Sequence, residues 1–400
     1  MIVVAVETLR DPVHREFLWV RVETDTGVQG LGETMPKPLA VEQAVHERFA
    51  SLLLGRELSP ELFWSEAFSS IGYTGYAGAE TRALSAIDIA LWDALARSVD
   101  LPIATLLGGK VRDRVRVYNT CVGFGSWPDR EGFLERPADL ARELSDEGYS
   151  AMKVWPFDAY SVGSGGHWIA PQDLATGVST VSDIKNVLGD GMDVAVEGHS
   201  GWDLPTSIKL AHALEPFSPM WVEDLMQARS PNAWRQLREA TSVPVTGSER
   251  VFTRFGIHPF LEAGALDIVN QDVAWTGGIS EMRKVAAMAE VFELPVTPHN
   301  CHGPVAAAAS VAIGLSVPNV SLVETVRSFE RGIHPDIAVG GHTVEGGFAT
   351  MSDAPGLGVE LLPGFLERCI RRRTELSPST TVAAGWTTGD PWAGGVDEGM

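Results

Sequence analysis

Three glutamates stand 26 residues apart along this chain: Glu197 in DVAVEGH, Glu223 in MWVEDL and Glu249 in VPVTGSE. Each closes a short apolar run, and a helix-like polar segment follows each. A repeat of about 25 residues is the length of one strand plus the crossover helix that parallel strands require. Acids at the same end of three successive parallel strands converge at one mouth. Unpaired carboxylates gathered there are costly unless a hard cation sits among them.

Composition narrows the alternatives. A chain of 400 residues with 44% hydrophobic content can bury a large core and is expected to form two domains. A net charge of −21 disfavours nucleic acid and anionic membrane surfaces as partners, because phosphate binding needs a basic patch. The three cysteines, Cys121, Cys301 and Cys369, are far apart and odd in number, so no disulfide framework is implied. The start, MIVVAVETLR, has no basic leader pattern, and no stretch of about 20 apolar residues occurs elsewhere. The expectation is a reduced, cytoplasmic protein with no membrane partner.

Residues 1 to about 35 alternate as strands do, with a hairpin turn at Asp25-Thr26-Gly27. From Leu39 to about Leu107 the period is helical. It is clearest where Ile87, Ala90, Leu91, Ala94 and Leu95 form one stripe, and Pro102 ends it. A different rhythm follows Gly108-Gly109. The runs RVRVYNT, SAMKVWP, MDVAVEG, MWVED, VPVTGS, LDIVNQD, LPVTP and VSLVET alternate with helical segments, which favours a closed parallel α/β barrel over an open sheet. No Gly-x-Gly-x-x-Gly follows the first strand, which counts against dinucleotide binding. The last 25 residues are rich in Thr, Gly and Asp and are expected to be a flexible tail.

The α+β start, the run SAIDIALWDALARSVDLPIATLLGG, the three acids and PGLGVE near the end together resemble the enolase superfamily, and within it the mandelate racemase group. The resemblance covers roughly residues 1 to 370 with its motifs in the expected order. It implies a modified (β/α)7β TIM barrel at 113–350, an N-terminal α+β capping domain at 1–112 completed by a segment at 351–375, and a tail at 376–400. It also implies removal of a proton alpha to a carboxylate, with Mg²⁺ stabilising the enediolate, and a homo-oligomer (dimer or octamer).

Carried over residue by residue, Glu197, Glu223 and Glu249 match the metal ligands, although the family's first ligand is usually Asp. Oxygen donors favour Mg²⁺ over zinc, and HNCH at 299–302 lacks a fourth ligand at finger-like spacing. Asp272 and His299 resemble the Asp–His dyad that supplies the base. His199, two residues after Glu197, is expected on the same side of its strand, where several acid-sugar dehydratases carry a histidine; a second imidazole there would protonate a leaving hydroxyl or simply hydrogen-bond substrate or solvent. The racemases' Lys-x-Lys is Lys153-Val154-Trp155 here. Trp155 cannot take a proton, so one-base chemistry is favoured, with Lys153 on the substrate carboxylate and Trp155 among the substrate-binding residues. Glu324 matches an acid that also binds that carboxylate. Glu33 is expected to pack the cap on the barrel, and Asp224 to face away from the site. The loops near 12–16 and 69–79, with the insert DAYSVGSGGHWIAP, are expected to cover the mouth.

The resemblance thus implies a hydro-lyase that converts a sugar acid to a 2-keto-3-deoxy acid. Racemisation, epimerisation and lactone cycloisomerisation are the alternatives within the same chemistry. A silent barrel that serves as a binding protein is the alternative outside it.

Overall fold

The computed structural model describes residues 1–377 apart from Thr74. The expected tail therefore lies, from residue 378 onward, outside the described residues. The chain opens with three antiparallel strands, β1 (Val3–Arg10), β2 (Leu18–Thr24) and β3 (Gln29–Thr34). Strand β2 buries both faces. Leu18, Val20 and Val22 enter the cap's own core, and Trp19 points the other way into the core shared with the barrel. The fourth strand of this sheet is Ile370–Glu375, which runs antiparallel to β1 with Ile370 opposite Arg10 and Glu375 opposite Ala5. The C-terminal segment completes the cap, as the resemblance implied.

The long cap helix Ala79–Ser98 is buried without a break from Ala83 to Ala94, a wider surface than the expected stripe. It lies between β3 on one side and the barrel helix Gly278–Val291 on the other, so both faces are covered. Contact with β3 is possible only because that strand carries glycines. A Cβ on Gly30 would lie 2.1 Å from the Ala90 carbonyl oxygen, and one on Gly32 would lie 1.8 Å from that of Ala86. We therefore expect Gly32→Ala to destabilise the protein by about 1–3 kcal/mol through overpacking. An unchanged urea midpoint would show that β3 can retreat from the helix.

The barrel strands are β4 (Val115–Thr120), β5 (Ala151–Val154), β6 (Asp193–Glu197), β7 (Trp221–Glu223), β8 (Val245–Thr246) and β9 (Leu322–Thr325). Strands β4 to β8 are parallel neighbours in order, and β9 pairs with β4 to close the ring. The runs LDIVNQD and LPVTP do occupy the sixth and seventh places, but as single bridges (Thr246–Ile268, Val269–Val296, Asp272–His299) rather than full strands. Side chains take over ladder positions there: Asp267 accepts from the Val245 amide at 2.9 Å, and Asn270 from the Ser248 amide at 2.6 Å. Pro295 and Pro298 bring no amide hydrogen to the ladder. The interior is filled by Tyr118, Ala151, Ala195, Trp221 and Leu322, with the Tyr118 and Trp221 rings edge to face at 5.3 Å. A hairpin, His342–Glu345 and Phe348–Met351, adds antiparallel to β4. Among the described residues, no helix is long and apolar enough to cross a membrane.

The cap grips the barrel at two loops. Glu33, fully buried, accepts from Trp19 Nε1 at 3.1 Å, from the Val305 amide at 2.9 Å and from the Gly303 amide. This places a carboxylate at the start of the helix Pro304–Ser316, where the dipole favours it. Thr34 Oγ1 donates to the Ala274 carbonyl at 2.8 Å, Trp64 Nε1 to that of Gly277 at 2.9 Å, and the Ser280 amide to Asp88 at 3.0 Å. Both gripped loops begin just after Asp272 and His299, so the cap fixes the segments that follow those two residues.

Candidate active site

Glu197 and Glu223 end adjacent parallel strands and lie directly in register, and Glu249 follows three residues beyond the end of β8. One carboxylate oxygen from each lies within 4.8 Å of the other two, and all three residues are buried. Trp221, rising from the barrel interior, donates from Nε1 to Glu223 Oε2 at 2.8 Å and so fixes that carboxylate from below. The Lys153 ammonium, on β5, meets Glu223 Oε1 at 2.6 Å, Glu324 Oε1 at 2.9 Å and Glu197 Oε2 at 3.2 Å. Glu324, at the end of β9, also accepts from the Asn300 amide at 2.8 Å and from Thr120.

Acid outnumbers base in this cage. Burial pushes Glu223 up, offset only in part by Lys153 and reinforced by Glu197 and Glu324. At Glu197 burial also acts upward, but Lys153 and His199 outweigh it and hold the carboxyl down at about 2. Asp224 lies one residue past the point where strand alternation applies, and it is fully buried. Strand β7 ends at Glu223, and Asp224, at φ 41, has neither carboxylate oxygen hydrogen-bonded among the described residues, although Arg250 Nε lies 3.9 Å from Oδ2. Burial, then Glu249 and Glu197, push its carboxyl well up. Three converging buried carboxylates, with a fourth beside them at Asp224, offer the all-oxygen donor set that suits a hard divalent cation.

On the far side of the ring, His299 Nδ1 lies 2.6 Å from Asp272 Oδ2, while Asp272 Oδ1 accepts from the Ala274 amide at 2.7 Å. A carboxylate only accepts, so Nδ1 carries the hydrogen and Nε2 faces the cage, 3.1 Å from Glu249 Oε2. Burial acts to lower the imidazole, but Glu249 and Glu324 outweigh it and raise it well above its ordinary value. The same Asp272 oxygen takes a second imidazole, His302 Nε2, at 2.7 Å. Sequence reasoning missed this partner, treating His302 only as a zinc candidate. Trp275 covers His299, with ring centroids 5.0 Å apart.

His199 reaches the mouth by a different route from the one expected. Strand β6 ends at Glu197, and His199 sits in a turn at φ 43, its amide donating to Glu197 Oε1 at 2.9 Å. Its Nδ1 lies 2.6 Å from Asp158 Oδ2, a contact the sequence did not suggest. Burial lowers the ring, but Glu197 and Asp158 raise it further, to about 9. Trp155 stands edge-on to the His199 ring at 5.6 Å and to Phe133 at 4.9 Å, so an indole occupies the place of a second base. Lys153, Glu197, Glu223, Glu249, Asp272, His299 and Glu324 thus form one connected network, with His199 and Trp155 paired at its rim.

Fold and site together define a capped parallel barrel with a cage of carboxylate oxygens and an Asp–His pair at its mouth. Residues 2–108 match the mandelate racemase/muconate lactonizing enzyme N-terminal domain, and residues 136–364 the enolase C-terminal domain-like family. The chain belongs to the mandelate racemase/muconate lactonizing enzyme family of the enolase superfamily. It is 30% identical over 364 residues to a D-galactonate dehydratase of Variovorax paradoxus, covering 87% of this chain and 90% of the relative. It is equally 30% identical over 376 residues to a D-gluconate dehydratase of Thermoproteus tenax, covering 92% and 73%. A solved enolase of the mandelate racemase subgroup from Agrobacterium tumefaciens superposes with a TM-score of 0.86 at 37% identity, covering 94% of this chain and 99% of that one.

Proposed function

We propose that the protein is a Mg²⁺-dependent hydro-lyase that removes water from a sugar acid to give a 2-keto-3-deoxy acid. The observation that carries this is the placement of two imidazoles. His199 follows β6 and His299 ends the seventh element, four places round a ring of eight, so they face each other across the mouth. His299 Nε2 takes the α-proton, and the C–H electron pair passes into the carboxylate to form an enediolate. That pair returns to form the C2–C3 double bond as the β-hydroxyl leaves, protonated from His199 Nε2 as water. The resulting enol tautomerises to the 2-keto acid. Glu197, Glu223 and Glu249 would hold a divalent cation, which would supply positive charge where the substrate carboxylate gains negative charge. Lys153 holds a fixed ammonium beside Glu324 for the same carboxylate. The relatives named D-galactonate and D-gluconate dehydratase support the substrate class. Trp155 counts against racemisation, since it stands where the racemases' second lysine would supply the opposite base. Operation in the cytoplasm is part of this proposal, supported by three unpaired cysteines.

The test is to incubate the Mg²⁺-loaded protein with a panel of aldonic and aldaric acids and to assay 2-keto acid. Turnover that yields only epimer or lactone would replace the dehydratase with an isomerase. The metal site has a test independent of turnover. Ligand binding to the folded state stabilises by RT ln(1 + [L]/Kd), about 2.7 kcal/mol at a hundredfold excess over Kd. Thermal melting should therefore rise with Mg²⁺ in the wild type and not in Glu223→Gln, whose ion-free form should be at least as stable because a crowded buried charge is gone. Equal Mg²⁺ responses would remove Glu223 from the ligand set.

A further inference from the structure

The segment after β5 carries an aspartate that the reaction as drawn does not use. Asp158 opens the four-residue helix Asp158–Ser161, and its Oδ2 lies 2.6 Å from His199 Nδ1. Its other oxygen, Oδ1, is buried with no hydrogen-bond partner, so His199 is the side-chain partner of this carboxylate. Among the described residues the Nε2 of His199 has no hydrogen bond or ion pair, and it is the ring nitrogen left for a substrate. This is the same construction as Asp272–His299: one carboxylate fixing Nδ1–H, one free or cage-facing Nε2.

The carrier of Asp158 is built to hold this geometry. The insert docks on the turn that bears His199: the Asp203 amide donates to the Gly166 carbonyl at 3.0 Å, and His167 Nδ1 lies 3.1 Å from Asp203 Oδ2. The approach is close enough that a Cβ on Gly166 would lie 2.0 Å from the Gly201 carbonyl oxygen. The turn itself is pinned from the neighbouring strand, the Gly198 amide to the Glu223 carbonyl at 2.9 Å and the Trp202 amide to that of Leu225 at 2.9 Å. Arg250 Nη1 adds a bond to the His199 carbonyl at 3.2 Å. The histidine backbone is therefore set by the barrel, and the orientation of its ring by the insert.

We propose that Asp158 is the positioning residue of the acid, fixing one proton on His199 Nδ1 so that the proton the imidazolium gives up is the one on Nε2, and that the site contains two opposed Asp–His dyads. This rests on the dehydratase assignment for its consequence, but its geometry can be tested without any substrate. In Mg²⁺-loaded protein labelled with ¹⁵N-histidine, His199 is assigned by the signal lost in His199→Asn. Its neutral ring should be the Nδ1–H tautomer in the wild type and shift to Nε2–H in Asp158→Ala. Asp158→Asn is isosteric and keeps a hydrogen bond to the turn, but its amide can donate to Nδ1 and so admits the wrong tautomer. With the aldonate the wild type turns over, keto-acid formation should fall on the order of 10²-fold in both variants with little change in KM, while α-proton exchange into D₂O persists. If the tautomer is the same in wild type and Asp158→Ala, or if Asp158→Asn dehydrates at the wild-type rate, Asp158 only anchors the insert and the proposal fails. A wild type that makes no keto acid from any aldonate removes the dehydratase assignment, and the tautomer measurement still decides the dyad.

Discussion

His299→Asn is expected to abolish both keto-acid formation and exchange of the α-proton with D₂O, each by roughly 10³-fold or more, since nothing else at that side of the mouth can take the proton. Among the described residues on that side, the ring nitrogen facing the cage is the candidate. Its partner nitrogen is committed to Asp272, Lys153 is held by three carboxylates, and Trp155 has no basic atom. Asn retains a side chain that can still bond Asp272, and it leaves all three glutamates in place. The Mg²⁺-dependent rise in melting temperature should therefore survive. Exchange by His299→Asn at a wild-type rate, read by mass spectrometry, would mean that another residue is the base.

His199→Asn is expected to fail differently. The base and the cage stay intact, so the enediolate can still form, but hydroxide is a poor leaving group without a proton donor. Dehydration should fall by about 10²–10⁴-fold. Exchange persists to the extent that the proton on His299 swaps with solvent before it returns to carbon. Unchanged dehydration would remove His199 as the acid.

The parts of the site that depend on chain period were legible in the sequence. Glu197, Glu223 and Glu249 recur at the length of one strand and its crossover helix, and the structure brings their oxygens within 4.8 Å. Asp272 and His299 could be placed because each ends an apolar run on adjacent barrel positions. Strand alternation stops applying one residue past β7 and two past β6. His199 and Asp224 both lie beyond the last paired residue, at φ 43 and 41, where a period of two no longer applies. The sixth and seventh strands were placed correctly but their regularity was overestimated, because Asp267 and Asn270 replace backbone partners there. Asp158 and His302 were missed for a different reason. Asp158 reaches its partner 41 residues away only once the insert has docked, and His302 becomes a partner of Asp272 only when two segments 30 residues apart lie side by side.

The closing strand of the cap has a consequence for how the molecule is made. Strands β1 to β3 leave the ribosome first, yet the outer edge of β1 waits for Ile370–Glu375. At about 5–20 residues per second, that interval is roughly 20–70 s of synthesis. During it the barrel segments emerge beside a three-stranded sheet with an unpaired edge, the kind of edge that recruits other chains. The loops after Asp272 and His299 are thus gripped by a cap whose own sheet is finished last, which makes the last six strand residues a checkpoint on the release of a competent enzyme. A nascent chain halted before Ile370 would carry every residue of the site and still expose the edge that marks it as unfinished.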